Sequence, residues 1–219
     1  MTLAQRLDDA RVLYANGCYD GALLSVLIAV AATSRRRFSK TIYKSDGHAF
    51  IAFLLEENPI LIPHSDWIPT TQLDYELAFN PRKSRETGLT CGGWCFKMPG
   101  AEESGWARGL VPIATCFYTY VRNSLVHEGT MPDVVEFVQT PIGELLFEVD
   151  ENALRLSTWM IDQLSTLVTY APENKDYFPS IAEMPSEVVA WNLFRQNRDK
   201  RTAYLTQRAD RVRRINGSH

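Results

Sequence analysis

Apolar residues recur every three to four positions through most of the first 60 residues, the spacing of helices that bury one side. TLAQRLDDARVLYA predicts a first amphipathic helix. Residues 19–38 predict a second, more deeply buried one that ends on Arg35, Arg36 and Arg37, cations suited to the negative end of a helix dipole. Ser45 and Asp46 give a capping signal for a third helix over 46–57, which stops before Pro59. TTQLDYELAF predicts another short one. A further helix is expected over 106–128, with Pro112 tolerable only near its first turn or at a kink, and with Gly129 as its C-cap. VVEFVQTPIGELLFEVD then alternates apolar and polar residues on both sides of Pro141, Ile142 and Gly143, which predicts a hairpin near 134–149. Asp150 caps a long helix, ENALRLSTWMIDQLSTLVTY, and Ser186 caps a last one over 186–216.

The pattern therefore predicts a mainly all-α fold, a helical bundle with an appended β-hairpin, in one domain over 1–185 followed by a C-terminal helix. Residues 217–219 read as a cloning scar and are set aside. Between the helices, 80–105 concentrates Gly, Pro and polar residues over a length well beyond the roughly 4 to 6 residues of a typical connection. Loops of that length are usually functional or mobile.

Charge and cysteine usage narrow the class. The net charge of −3 hides an asymmetry: residues 192–219 hold eight Lys/Arg and two Asp, so the tail is basic on an acidic body. Such a stretch can track a polyanion, or serve as a solvated helix face. The four cysteines, Cys18, Cys91, Cys95 and Cys116, are too few for a disulfide scaffold in 219 residues, so reduced thiols in the cytoplasm are expected. The apolar run 21–32 is shorter than the roughly 20 residues that span a bilayer, and Asp8, Asp9 and Asp20 precede it in place of a basic leader. No membrane association is predicted.

The most informative stretch is YVRNSLVHEGT, residues 120–130. At about 100° per residue, Ile113, Phe117, Val121 and Leu125 form a core-facing stripe, while Thr119, Arg122, Asn123 and His127 fall on the opposite side. Asn123 and His127 are neighbours one turn apart. Arg122 lies about 140° from His127 around the axis and reaches it only through its long side chain. Periodicity alone reads these residues as a helix's wet face, with His127 favourably placed near the C-terminus. A polar cluster amid Phe117, Tyr118, Tyr120 and Val126 also reads as a site covered by a partner surface.

Here the sequence resembles the HEPN superfamily, whose mark is Arg, four to six residues, then His, with a polar residue after the Arg. Arg122, Asn123, Ser124, Leu125, Val126 and His127 reproduce the four-residue spacing with Asn in the expected place. ANGCYDGALLSVLIAVAA and DGHAFIAFLLEE are similar in texture to the helices that precede the motif, and the likeness covers roughly 10–170. The 80–105 loop and the hairpin lie outside the family pattern. The resemblance implies a HEPN-like helical bundle and a metal-independent endoribonuclease, often a toxin or antiviral defence factor. It would act as a homodimer through facing motif helices and leave 2′,3′-cyclic phosphate and 5′-OH ends. His127 and Arg122 would be the catalytic pair and Asn123 a positioning residue. RNA is the implied partner, with an antitoxin or regulatory protein a further one. A noncatalytic HEPN-like module that binds RNA, a nucleotide or a protein through the same cleft is the alternative.

Other constellations are weaker. Arg82, Lys83 and Arg85 could contact phosphates if the long loop borders the cleft, and Tyr118 and Trp94 could stack on bases. CGGWC, with Cys91 and Cys95, resembles half a zinc site, but no second pair follows at finger spacing. His48 and His64 lack metal-ligating neighbours at helical spacing, so no metal or other cofactor is expected. Neither a P-loop, a dinucleotide fingerprint nor a Gly-x-Ser-x-Gly elbow occurs.

Overall fold

A computed structural model describes residues 1–61, 69, 71–80, 86–87, 95–96, 111–140, 147–150 and 152–178. Helix α1 (Leu3–Ala15) begins in a reciprocal cap: Thr2 Oγ1 accepts from the Gln5 amide, and Gln5 Oε1 accepts from the Thr2 amide. Helix α2 (Tyr19–Arg37) packs against α1, against α3 (Asp46–Glu56) and against the last described α-helix, so it lies at the centre of the bundle. Its small residues Ala22 and Ala29 are fully buried beside Leu23, Val26, Leu27 and Val30. Helix α3 is apolar almost all round, and accordingly all its residues but Asp46 and His48 are buried. Phe50, Phe53 and Leu54 are among the largest fully buried side chains. Glu57 ends α3, and the chain resumes as a single turn, α4 (Asn58–Leu61), past the expected stop at Pro59. Thr71 caps α5 (Gln72–Phe79) reciprocally with Asp74.

The C-terminal end of α2 does more than complement a dipole. Arg37 turns inward, and its Nε and Nη2 donate to Glu173 at 2.8 and 3.2 Å. Nη2 also donates to Glu57 Oε1 at 2.6 Å, and Nη1 lies 3.4 Å from Glu56 Oε2. The guanidinium stands over the Phe53 ring at 4.3 Å. Burial alone would push Arg37 down, but Glu57, Glu173 and Glu56 together hold it above its ordinary range. Nearby, the buried Asn174 donates to Thr33 Oγ1 at 2.8 Å and to the Val168 carbonyl at 2.7 Å. These contacts fasten the short 3₁₀ turn Pro172–Asn174 to α2.

The β structure departs from the expected hairpin. Strands β1 (Cys95–Phe96) and β2 (Val111–Pro112) form a two-stranded antiparallel pair. Strands β3 (Val135–Val138) and β4 (Phe147–Val149) both exist, yet they do not pair with each other. A third strand, β5 (Leu154–Ser157), lies between them, parallel to β3 and antiparallel to β4. In this order Arg155 of the central strand sits opposite Glu136 on one side and Glu148 on the other. Its guanidinium reaches both carboxylates, at 3.4 and 3.8 Å, while Leu154 and Leu156 point into the core. Turn residues 141–143 lie outside the described residues.

The long helix expected over 151–170 is corrected by the same strand. Asp150 caps a turn instead of a helix: its Oδ1 accepts from the Asn152 and Ala153 amides at 2.7 and 2.8 Å. Those two amides and Arg155 draw the Asp150 carboxyl down to about 2. The helix itself, here called α8, covers Met160–Tyr170 and buries Met160, Ile161, Leu164, Leu167 and Val168 at helical spacing. The fold is thus mainly helical with a small three-stranded sheet. The C-terminal helix expected over 186–216 and the scar at 217–219 lie outside the described residues.

Candidate functional site

The helix carrying the Arg-Asn-His set is built in three pieces. Pro112 ends β2 and stands at the N-cap, so the helix starts at α6 (Ile113–Cys116) rather than near 106; residues 106–110 are outside the described set. A π-helical segment, Phe117–Arg122, follows, and α7 (Asn123–His127) completes the helix. Gly129, with φ of +74°, ends it as expected. Ile113, Phe117, Val121 and Leu125 are all buried, which confirms the core stripe. In a uniform α-helix that four-residue spacing would drift steadily around the axis; the wider π turn offsets the drift and keeps the stripe on the core. Thr115 anchors the first turn by donating to the Ala78 carbonyl at 2.7 Å.

Arg122 closes the π segment and Asn123 opens α7, and the two side chains meet: Nη1 of Arg122 donates to Asn123 Oδ1 at 3.1 Å. The Arg122 guanidinium stands over the Tyr118 ring at 5.4 Å. Its Nε is buried with no hydrogen-bond acceptor, an arrangement that costs about 1–3 kcal/mol. Among the described residues no carboxylate pairs with Arg122. The structure therefore places a cation, clamped by an amide and an aromatic ring, with donor capacity unused.

His127 is exposed and has no side-chain partner among the described residues. Within one chain, then, the structure brings Arg122 and Asn123 together and leaves His127 on the next turn facing solvent. Tyr118 is half-buried, and its ring is committed: it lies 5.4 Å from the Phe50 ring and is seated against Gly47. A Cβ added at Gly47 would come within 2.5 Å of Tyr118 Cε1, so only glycine lets the ring approach this closely. This seat went unread in the sequence, because nothing local to GHAF or FYTY announces that they meet.

Arg82, Lys83, Arg85, Cys91, Trp94 and His64 lie outside the described residues. His48 stacks on Phe79 at 4.2 Å and 5°, and burial pushes its imidazole down. With Glu76 and Asn80 the pair lines an open recess of about 400 Å³. Cys116 is fully buried, and burial pushes its thiol up, away from nucleophilic use. Among the described residues no group of three or more His, Cys, Asp or Glu could hold a metal ion. No described helix is long and apolar enough to cross a membrane.

Fold and site together define a mainly helical protein that displays, on a π-distorted helix, an arginine with no carboxylate partner among the described residues. Residues 2–184 match the family described as Rv1289, and the chain belongs to that family. No curated protein matches it, and no solved structure matches it.

Proposed function

We propose that the chain is a HEPN-like, metal-independent endoribonuclease that works as a homodimer through its motif helices in the cytoplasm. The observation that carries this reading is Arg122, held by Asn123 and Tyr118 with no carboxylate neutralising it among the described residues. Arg122 is half-buried with its Nε withdrawn from water, and an anion such as RNA phosphate is a ligand that its guanidinium fork can take up. The π segment that Arg122 closes adds support, since such turns are frequent at functional sites.

The chemistry follows from these side chains. RNA carries its own nucleophile, the 2′-OH, so cleavage needs proton transfer and charge stabilisation at phosphorus. His127 would take the 2′-OH proton or protonate the 5′-oxygen leaving group, and the Arg122 fork would stabilise the charge that grows on the phosphate oxygens. One imidazole supplies one of the two proton transfers. A second copy of the helix supplies the other, which accounts for an exposed His127 in a single chain. The phosphate-contacting roles for Arg82, Lys83 and Arg85 and a base-stacking role for Tyr118 belong to the same proposal and rest on residue chemistry, while a toxin or antiviral setting and restraint by an antitoxin or regulatory protein rest on the resemblance.

Incubating the purified chain with RNA and excess chelator tests it. Cleavage leaving 2′,3′-cyclic phosphate ends, reduced about 100-fold or more in His127→Ala, is the expected result. Retention of RNA without cleavage points to the noncatalytic binding module instead.

A further inference from the structure

We propose that Tyr118 is the positioning residue of the site, and that it presents Arg122 to a phosphate end-on, through the two terminal guanidinium nitrogens. The inference rests on the nuclease reading for its substrate, and on geometry alone for the role of Tyr118.

A guanidinium can grip two phosphate oxygens along either of two edges, one made by Nε and a terminal nitrogen, the other by both terminal nitrogens. In this chain the first edge is closed, because Nε of Arg122 is buried and meets no acceptor among the described residues. The second edge remains. One hydrogen of Nη1 is used by Asn123 Oδ1, which fixes how the fork is rotated, while among the described residues no acceptor takes its second hydrogen or those of Nη2, which leaves them for a ligand. The Tyr118 ring, 5.4 Å from the guanidinium carbon, fixes where the fork sits.

Tyr118 can do this only because it is itself immobilised. Gly47, in the first turn of α3, accepts the ring at a distance that any side chain would block, and Phe50 one turn on packs against it at 5.4 Å between centroids. Helix α3 thus reaches the proposed phosphate-binding arginine through the Tyr118 ring. The π segment spans both residues, Tyr118 and Arg122, so the same distortion that keeps the stripe buried sets the spacing between ring and guanidinium.

The test uses the full-length chain labelled with ¹⁵N-arginine and compares parent, Tyr118→Phe and Tyr118→Leu. In parent and Tyr118→Phe the Arg122 Hε resonance should be ring-current shifted and slow to exchange with water; in Tyr118→Leu both properties should vanish. RNA cleavage by Tyr118→Leu should fall about 100-fold in kcat with KM within about threefold, and Tyr118→Phe should restore kcat to within about threefold of the parent. A Tyr118→Leu protein that keeps the shifted resonance and the parent kcat overturns the proposal. A parent that cleaves no RNA removes the nuclease reading, and the resonance comparison still decides the role of Tyr118. Should the leucine variant not fold, an NOE between Arg122 Hε and the Tyr118 ring protons in the parent supports the contact, and its absence overturns it.

Discussion

Two arginines on neighbouring helices, Arg37 with a buried side chain and Arg122 half-buried, have opposite surroundings. Arg37 at the end of α2 is saturated: Glu56, Glu57 and Glu173 surround it, with side-chain exposures of 8% for Arg37 and 10%, 1% and 21% for the three carboxylates in turn. Arg122 at the end of the π turn has an amide oxygen, a ring and a buried Nε with no acceptor. The first arrangement is closed and ties α2 and α3 to the 3₁₀ turn after α8. The second is open, and an open cation at partial burial is a place where an anion can bind. A buried charge is therefore informative through its partners rather than through its depth.

Substitutions sharpen that contrast. Arg37→Leu should cause the largest loss of stability, about 3–5 kcal/mol, because it leaves three carboxylates crowded without their cation. Urea denaturation measures it, and cleavage per folded molecule should stay near the parent value. Arg122→Lys should do the reverse: about 100-fold or more off RNA cleavage, since an ammonium cannot reproduce the fork, with unfolding free energy within about 1 kcal/mol of the parent. Thr33→Val takes the acceptor from the buried Asn174 amide and should cost about 1–2 kcal/mol without touching cleavage.

The smallest effect concerns pH. The Asp150 carboxyl is drawn from an ordinary 3.8 to about 2 in the folded chain by the Asn152 and Ala153 amides and by Arg155. A folded-state value below the unfolded one gives stability that is present above 3.8 and is lost as pH falls through about 2. Thermal melts of Asp150→Asn should show a shallower loss of stability across that interval than the parent. Parallel curves would remove Asp150 from the acid response.

Much of the helical framework was legible because its periodicity is strong. The cap at Ser45, the stripe through Ile113, Phe117, Val121 and Leu125, and the end at Gly129 all follow from local chemistry. The sheet was legible only in part. Alternation marked β3 and β4 but could not name their partner, and LRLS is too short to show period two within residues that also favour a helix. The inward turn of Arg37 was hidden because Arg35, Arg36 and Arg37 are chemically alike, and only packing with Glu173 distinguishes them. At the site, Arg122, Asn123 and His127 stood out as polar residues in an apolar helix. Their seat on Tyr118 and Gly47 is a contact between distant segments, and the π turn has no signature in the sequence.

The most direct measurement is RNA cleavage in excess chelator by parent and Arg122→Ala proteins, compared at a temperature where both are fully folded. An open arginine that completes itself with phosphate requires a rate about 100- to 1,000-fold lower in the variant. Equal rates, with folding intact, would mean that Arg122 is as structural as Arg37 and that its missing partner has no bearing on chemistry.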